Sequence, residues 1–160
     1  MFNVGDKAVF PVHGVGVIET IETREIECEE ISFFIFRVLG NDMKIMIPRD
    51  KIDHVGLREI IESRKIKEIY KILGRRDEIT DHPSWHQRDR DYTEKIKSGS
   101  LIEIAKVLRE LWMLKSVKAL SSRQREMFVM AHNLLVKEIS VAKDVSEEKV
   151  EEEFDRIISV

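Results

Sequence analysis

A chain of 160 residues that is 42% hydrophobic and 36% charged can build one domain or two small ones, and it is not a disordered tail. A net charge of −3 and a pI near 6.0 exclude tight, sequence-independent attachment to DNA driven by counterion release alone. The longest apolar run, residues 31–36, is broken by Ser32 and is far below the roughly twenty residues of a membrane span. The start, Met1-Phe2-Asn3-Val4-Gly5-Asp6, has no cationic leader pattern, so a cytoplasmic protein with no membrane contact is expected. The single cysteine, Cys28, cannot form an internal disulfide and sits among Glu27, Glu29 and Glu30, where it reads as incidental.

Five of seven glycines and two of three prolines fall in the first 56 residues, and residues 100–160 contain neither. The front of the chain therefore turns often and the back does not. Residues 6–11, 15–25, 31–39 and 43–47 are rich in Val, Ile and Phe and read as strands. The last alternates, with Met43, Ile45 and Ile47 on one face and Lys44 and Met46 on the other. Gly40-Asn41-Asp42 supplies a turn, Pro48 ends the fourth strand, and Asp53-His54-Val55 is left as a final strand. Four or five short strands close most simply into a small SH3-like or Tudor-like barrel, because closure removes exposed edges.

From residue 57 onward the pattern is helical. Ser63 is placed to cap a helix bearing Ile66, Ile69, Tyr70 and Leu73 and ended by Gly74. After a loop over 74–84, a second helix is expected over 84–97, stopped by Ser98-Gly99. Ser100 with Glu103 and Ser121 with Gln124 are capping boxes that open two more helices. The first carries the stripe Leu101, Ile104, Ala105, Leu108, Leu111 and Trp112, which assigns Trp112 to the core; the second carries Phe128, Ala131, Leu134, Leu135 and Ile139. Ser146 opens the last, with Val150, Phe154, Ile157 and Ile158 inward. The expected fold is α+β: a barrel domain, 1–56, followed by a helical domain, 57–160, of about five helices.

Charge is unevenly placed. Lys plus Arg against Asp plus Glu is 11 to 13 over residues 1–72, 12 to 8 over 73–125 and 4 to 9 over 126–160. Trp85 sits in the basic stretch, at a helix entry announced by Pro83-Ser84 and flanked by Arg75, Arg76, Arg88 and Arg90. A partly wet indole among cations suits a wedge pressed against stacked bases while phosphates are held. The same local sequence also describes a tryptophan that closes a helix corner, and the charge asymmetry also describes a solvated helix face.

Enzyme signatures are missing: the sequence holds no G-x-x-x-x-G-K-[ST], no G-x-G-x-x-G after a strand, no G-x-S-x-G and no H-E-x-x-H. His82 and His86 are four apart with Asp81 beside them, but Pro83 puts His82 before the helix and no fourth ligand is suggested. No enzyme, metal or cofactor is expected.

The segment Phe2-x-Val4-Gly5-Asp6-x-Ala8-Val9-Phe10-Pro11-x-His13-Gly14-Val15-Gly16, then Ile21-Glu22-Thr23-Arg24, Ile47-Pro48, the basic loop with Trp85, and Leu111-Trp112 followed by Leu120-Ser121, resembles the CarD/CdnL family of bacterial transcription regulators. The resemblance spans essentially the whole chain. Its front half is also similar to the polymerase-interacting module of the transcription-repair coupling factor, although no helicase motif follows. The resemblance implies a Tudor-like domain that docks on the β subunit of RNA polymerase. It also implies a helical domain that meets promoter DNA at the upstream edge of the melted region, with Trp85 in the minor groove. By that match Arg24 is a polymerase-contacting arginine. Family members carry another arginine where Met46 stands here, and Lys44 or Arg49 is placed to compensate. The residue two after Trp85 is Gln87 where some members are basic, which leaves Arg88, Arg90, Arg123 and Arg125 as candidate phosphate contacts. The expected function is a monomeric regulator, weak on DNA alone, that stabilises the promoter open complex. The alternative is a protein-interaction adaptor whose barrel binds another partner by strand addition and whose helices never touch DNA.

Overall fold

The Glu27-Cys28 dipeptide organises the front of the chain. Both residues have positive φ, 50° and 69°, the geometry of a two-residue hairpin turn whose twist matches its strands. That turn joins β2 (Gly14–Ile26) to β3 (Glu29–Val38). Neither residue is the glycine or asparagine that usually marks such a turn, so the sequence underestimates both strands at this end.

The computed structural model describes residues 2–11, 13–75 and 85–158, with the side chains of Trp85, His86, Gln87 and Val117 excepted. β1 (Lys7–Phe10), β2, β3, β4 (Lys44–Pro48) and the two-residue β5 (Arg58–Glu59) form one antiparallel sheet in the order β4-β3-β2-β1-β5. β4 and β5 stand at the two ends of that order, and this five-stranded unit followed by helices is the expected α+β, Tudor-like arrangement. Ala8, Ile18, Phe34, Phe36, Val38, Ile47 and Leu57 form the buried core of this unit.

The segment read as a final strand, Asp53-His54-Val55, is instead helical. A 3₁₀ turn (Arg49–Lys51) runs into the single-turn α1 (Ile52–Val55). Gly56, at φ 79°, ends it by donating its N–H to the carbonyls of Ile52 and Asp53, a left-handed stop that costs glycine little. The strand comes after that glycine: Leu57 is buried and β5 pairs with β1. The front unit consequently runs through Ile60, and a second compact unit spans Ile61–Val160.

The described residues of that second unit hold five helices: α2 (Ser63–Leu73), α3 (Trp85–Lys97), α4 (Leu101–Val117), α5 (Ser122–Lys143) and α6 (Glu147–Ile158). Ser63 does not cap α2. Glu62 is the N-cap residue, without a side-chain cap bond, and its carboxylate pairs with Arg64 at 2.8 Å. Ser100 and Ser121 do cap, accepting from the backbone N–H of Glu103 and Gln124, and Gln124 completes a reciprocal box. Ser146 accepts from the N–H of Lys149 in the first turn of α6. The core gathers Ile66, Ile69, Leu108, Leu111, Leu135, Ile139 and Phe154; Trp112 is half-buried against its edge, edge-on to Phe128 at 5.5 Å. Tyr70, Lys143 and Glu153 tie α2, α5 and α6 together. Tyr70 donates to the Glu153 carboxylate, which Lys143 reaches at 2.9 Å. Burial works against the charge on Glu153, yet the Tyr70 hydroxyl and Lys143 outweigh it and hold this carboxyl below its ordinary value. No described helix is long and apolar enough to cross a membrane.

Candidate polymerase and nucleic-acid interfaces

In an antiparallel sheet, residues directly opposite each other share a face, as do residues two apart on a strand. Thr20 opposes Ile35, Ile35 opposes Met46, Arg37 opposes Lys44, and Arg24 opposes Ile31. Arg24, Lys44 and Met46 therefore stand on one face of β2-β3-β4, together with Ile31, Phe33, Ile35 and Arg37. Phe34, Phe36 and Val38 point to the opposite, core face. Arg24 and Lys44 are well exposed, at 57% and 60% of the side chain, and Met46 is exposed at 39%.

The face has its own electrostatics. Glu19 lies 3.5 Å from Lys44 and 4.0 Å from Arg37, while Arg24 pairs with Glu22 at 3.3 Å. Such exposed pairs are worth at most about 1 kcal/mol each, so each cation can be redirected to a partner at little cost. Arg49 does not join this group. Its guanidinium lies over the ring of Phe34, 5.7 Å from the centroid, and Phe34 belongs to the core face.

Ile31, Phe33 and Ile35 were missed as part of a surface. Their signal was the apolar character of residues 33–36, which carry Phe or Ile at every position, since a strand that is apolar on both faces has two faces to cover.

In the helical unit the candidates divide differently. Arg123 and Arg125 are exposed in the first turn of α5, where the positive end of the helix dipole adds to their charge. Arg125 also reaches the Ser122 hydroxyl at 3.3 Å. Helix α3 packs on α4 and α5, with the Thr93 hydroxyl 3.7 Å from the sulfur of Met127. Arg90 is exposed on α3, whereas Arg88 and Asp89 are half-buried. Arg88 acts on the buried phenol of Tyr92 together with Glu110 of α4. Burial first, and then the Glu110 carboxylate, push that phenol well above its ordinary value, with Arg88 opposing. Arg109 donates to the backbone carbonyl of Arg75 at 3.1 Å, fixing the chain as it leaves α2. Trp85 is the first residue of α3; its side chain, and Arg76 and His82, lie outside the described residues, and His86 enters only through its backbone. The indole's surroundings are thus also outside them.

With this geometry in view, two family models divide the chain between them. One for the CarD-like/TRCF RID domain matches residues 2–61, and one for the CarD C-terminal domain matches residues 68–155. The chain belongs to the CarD/CdnL family. Among proteins it resembles is "Putative transcription factor YdeB" of Bacillus subtilis (strain 168), 34% identical over 152 residues that cover 94% of this chain and 97% of that one. A solved structure, CdnLNt from Myxoccoccus xanthus, is 51% identical, covers 38% of this chain and 86% of that one, and superposes with a TM-score of 0.34. Membership makes this CarD/CdnL chain an RNA-polymerase-interacting transcription regulator.

Proposed function

We propose that this CarD/CdnL protein docks on the β subunit of RNA polymerase through the outer face of β2, β3 and β4, with Arg24, Lys44 and Met46 as contacts. From there it stabilises the promoter open complex by wedging Trp85 into the minor groove at the upstream edge of the melted DNA. Arg90, Arg123 and Arg125 hold phosphates, and Arg88 contributes from its half-buried position. The protein acts in the cytoplasm as a monomer, with a barrel domain that anchors and a helical domain that meets DNA.

The observation that supports this reading best is the gathering of Arg24, Lys44 and Met46 on one outer face of the sheet, among Ile31 and Phe33. A weak DNA surface is sufficient under such tethering. The second contact becomes intramolecular, at an effective concentration that can approach millimolar, so the acidic net charge is no obstacle. A wedge that prefers the open junction by about 1.4 kcal/mol changes the open-to-closed ratio tenfold.

The test separates the two surfaces. Arg24→Glu should lower retention on polymerase about tenfold or more, as expected for replacing a favourable cation by an anion in a docked interface. Trp85→Ala should leave retention intact and shorten the lifetime of the open complex. An unchanged lifetime with Trp85→Ala removes the wedge, and unchanged retention with Arg24→Glu favours an adaptor that uses another surface.

A further inference from the structure

Strand β2 carries one residue more than β3 pairs with. Ile18 lies opposite Phe36 and Thr20 opposite Ile35, so Glu19 has no opposing residue on β3. An extra residue of this kind bulges the strand and re-aims its side chain. It also resets the alternation along β2. Ile18 is fully buried on the core face, and an unbroken period of two would carry Thr20, Glu22 and Arg24 to that face as well. Beyond the bulge they stand on the outer face, where Arg24 opposes Ile31.

The Glu19 carboxylate is turned to the same outer face, and its two oxygens are divided between two strands. Oε1 lies 4.0 Å from Nε of Arg37 on β3, and Oε2 lies 3.5 Å from Nζ of Lys44 on β4. Arg37 and Lys44 are directly opposite each other, a like-charge pairing that is unfavourable by itself. The bulge therefore sets an anion between two cations that repel. Arg37 also reaches Asp42 at 3.0 Å. With 60% of the Lys44 side chain and 38% of the Glu19 side chain exposed, water and a partner have access to the pair.

We propose that Glu19 is an internal counter-ion of the docking face. In the free protein it occupies Lys44 and Arg37, and in the complex an acidic group of the partner takes its place. The exchange weakens docking, because Glu19 repels the incoming carboxylate. It also makes docking selective, because only a surface that sets carboxylates against both cations, beside an apolar patch for Phe33 and Met46, overcomes that repulsion. The proposal rests on the reading of this face as the polymerase-docking surface.

The test measures retention of the full-length protein on purified RNA polymerase at several salt concentrations. Glu19→Gln keeps the shape of the side chain and removes its charge, and should raise retention about threefold or more at low salt. That gain should shrink as salt screens the face. In a Lys44→Gln background the same substitution should give less than half the gain. Glu25→Gln removes an equal charge from the opposite face of β2, where Glu25 faces Glu30, and should leave retention unchanged. Unchanged or lower retention with Glu19→Gln overturns the proposal. So does an undiminished gain without Lys44, or an equal gain from Glu25→Gln, since either would report net charge alone. If Glu19→Gln does not fold because Arg37 and Lys44 are left opposed, the double variant with Lys44→Gln is compared with Lys44→Gln alone, and a ratio of one or less overturns the proposal. The two readings fail separately. Retention that falls with Arg24→Glu but ignores Glu19→Gln removes the counter-ion and keeps the docking face. Retention indifferent to both removes the docking face, and the counter-ion with it.

Discussion

Gly16→Ala should be far more damaging than the addition of one methyl group suggests. Gly16 sits in β2 between Ala8 of β1 and Val38 of β3. A Cβ built on it would lie 2.4 Å from Cζ and 2.7 Å from Cε1 of Phe36, and 2.5 Å from the backbone oxygen of Arg37. The Phe36 ring is fully buried with Phe10 at 6.0 Å, so it has little room to yield, and the Arg37 oxygen moves only if β3 moves. Overpacking of this kind costs about 1–3 kcal/mol, and a backbone obstacle places the expected cost near the top of that range. At about 3 kcal/mol the unfolding equilibrium of the front unit shifts by roughly 150-fold. Both tryptophans lie in the second unit, so their fluorescence is silent about this change. Native-state hydrogen exchange is the suitable assay. Protection of the slowest amides in β2 and β3 should fall by that factor while α5 is unaffected. A loss of less than threefold would refute the steric account.

The helical unit makes two further predictions. Glu153 has its carboxyl held below the 4.5 of the ordinary group, chiefly by Tyr70 and Lys143 acting against burial. Its contribution to stability is therefore present above about pH 4.5 and is lost as pH falls through the lowered value. Glu153→Gln should flatten that acid limb in urea titrations between about pH 2 and about pH 6, the range over which a carboxylate titrates, and an unchanged acid limb would remove the linkage. Ser121→Ala breaks a reciprocal capping box at the start of α5 and should cost about 1 kcal/mol in denaturant unfolding followed by tryptophan fluorescence. Ser63→Ala should cost less than half of that, since Ser63 caps nothing; equal losses would contradict the cap assignments.

The order of strands and helices was legible from local chemistry. Turn residues crowd the front, serine caps start α4 and α5, and apolar residues at helical spacing mark the inner stripes. Each is a short-range effect, written within a few residues of where it acts. Failures were also local in form and tertiary in cause. Glu27-Cys28 turns without a glycine because two long strands impose their twist on it. Asp53-His54-Val55 is a helical turn, not a strand, because Gly56 closes it and passes the pairing with β1 to Arg58 and Glu59. Ser63 has the composition of a cap but lies one residue inside the helix.

Trp85 and the arginines around it could be singled out from sequence because unusual residue types cluster there. What they could not reveal was which of those cations remain free for a partner. Tertiary packing draws Arg88 inward beside Tyr92 and Glu110 and leaves Arg90, Arg123 and Arg125 outside. It also separates Arg49 from Lys44 and Met46, because pleat and register assign sheet faces, and register is a relation between strands far apart in the chain. Composition and spacing thus determined that a strand-rich unit precedes a helical one, and the order of short motifs along the chain carried its resemblance to the CarD/CdnL family. Only the folded arrangement decided which side chains share a surface, because desolvation of a charge depends on neighbours contributed by other helices and strands.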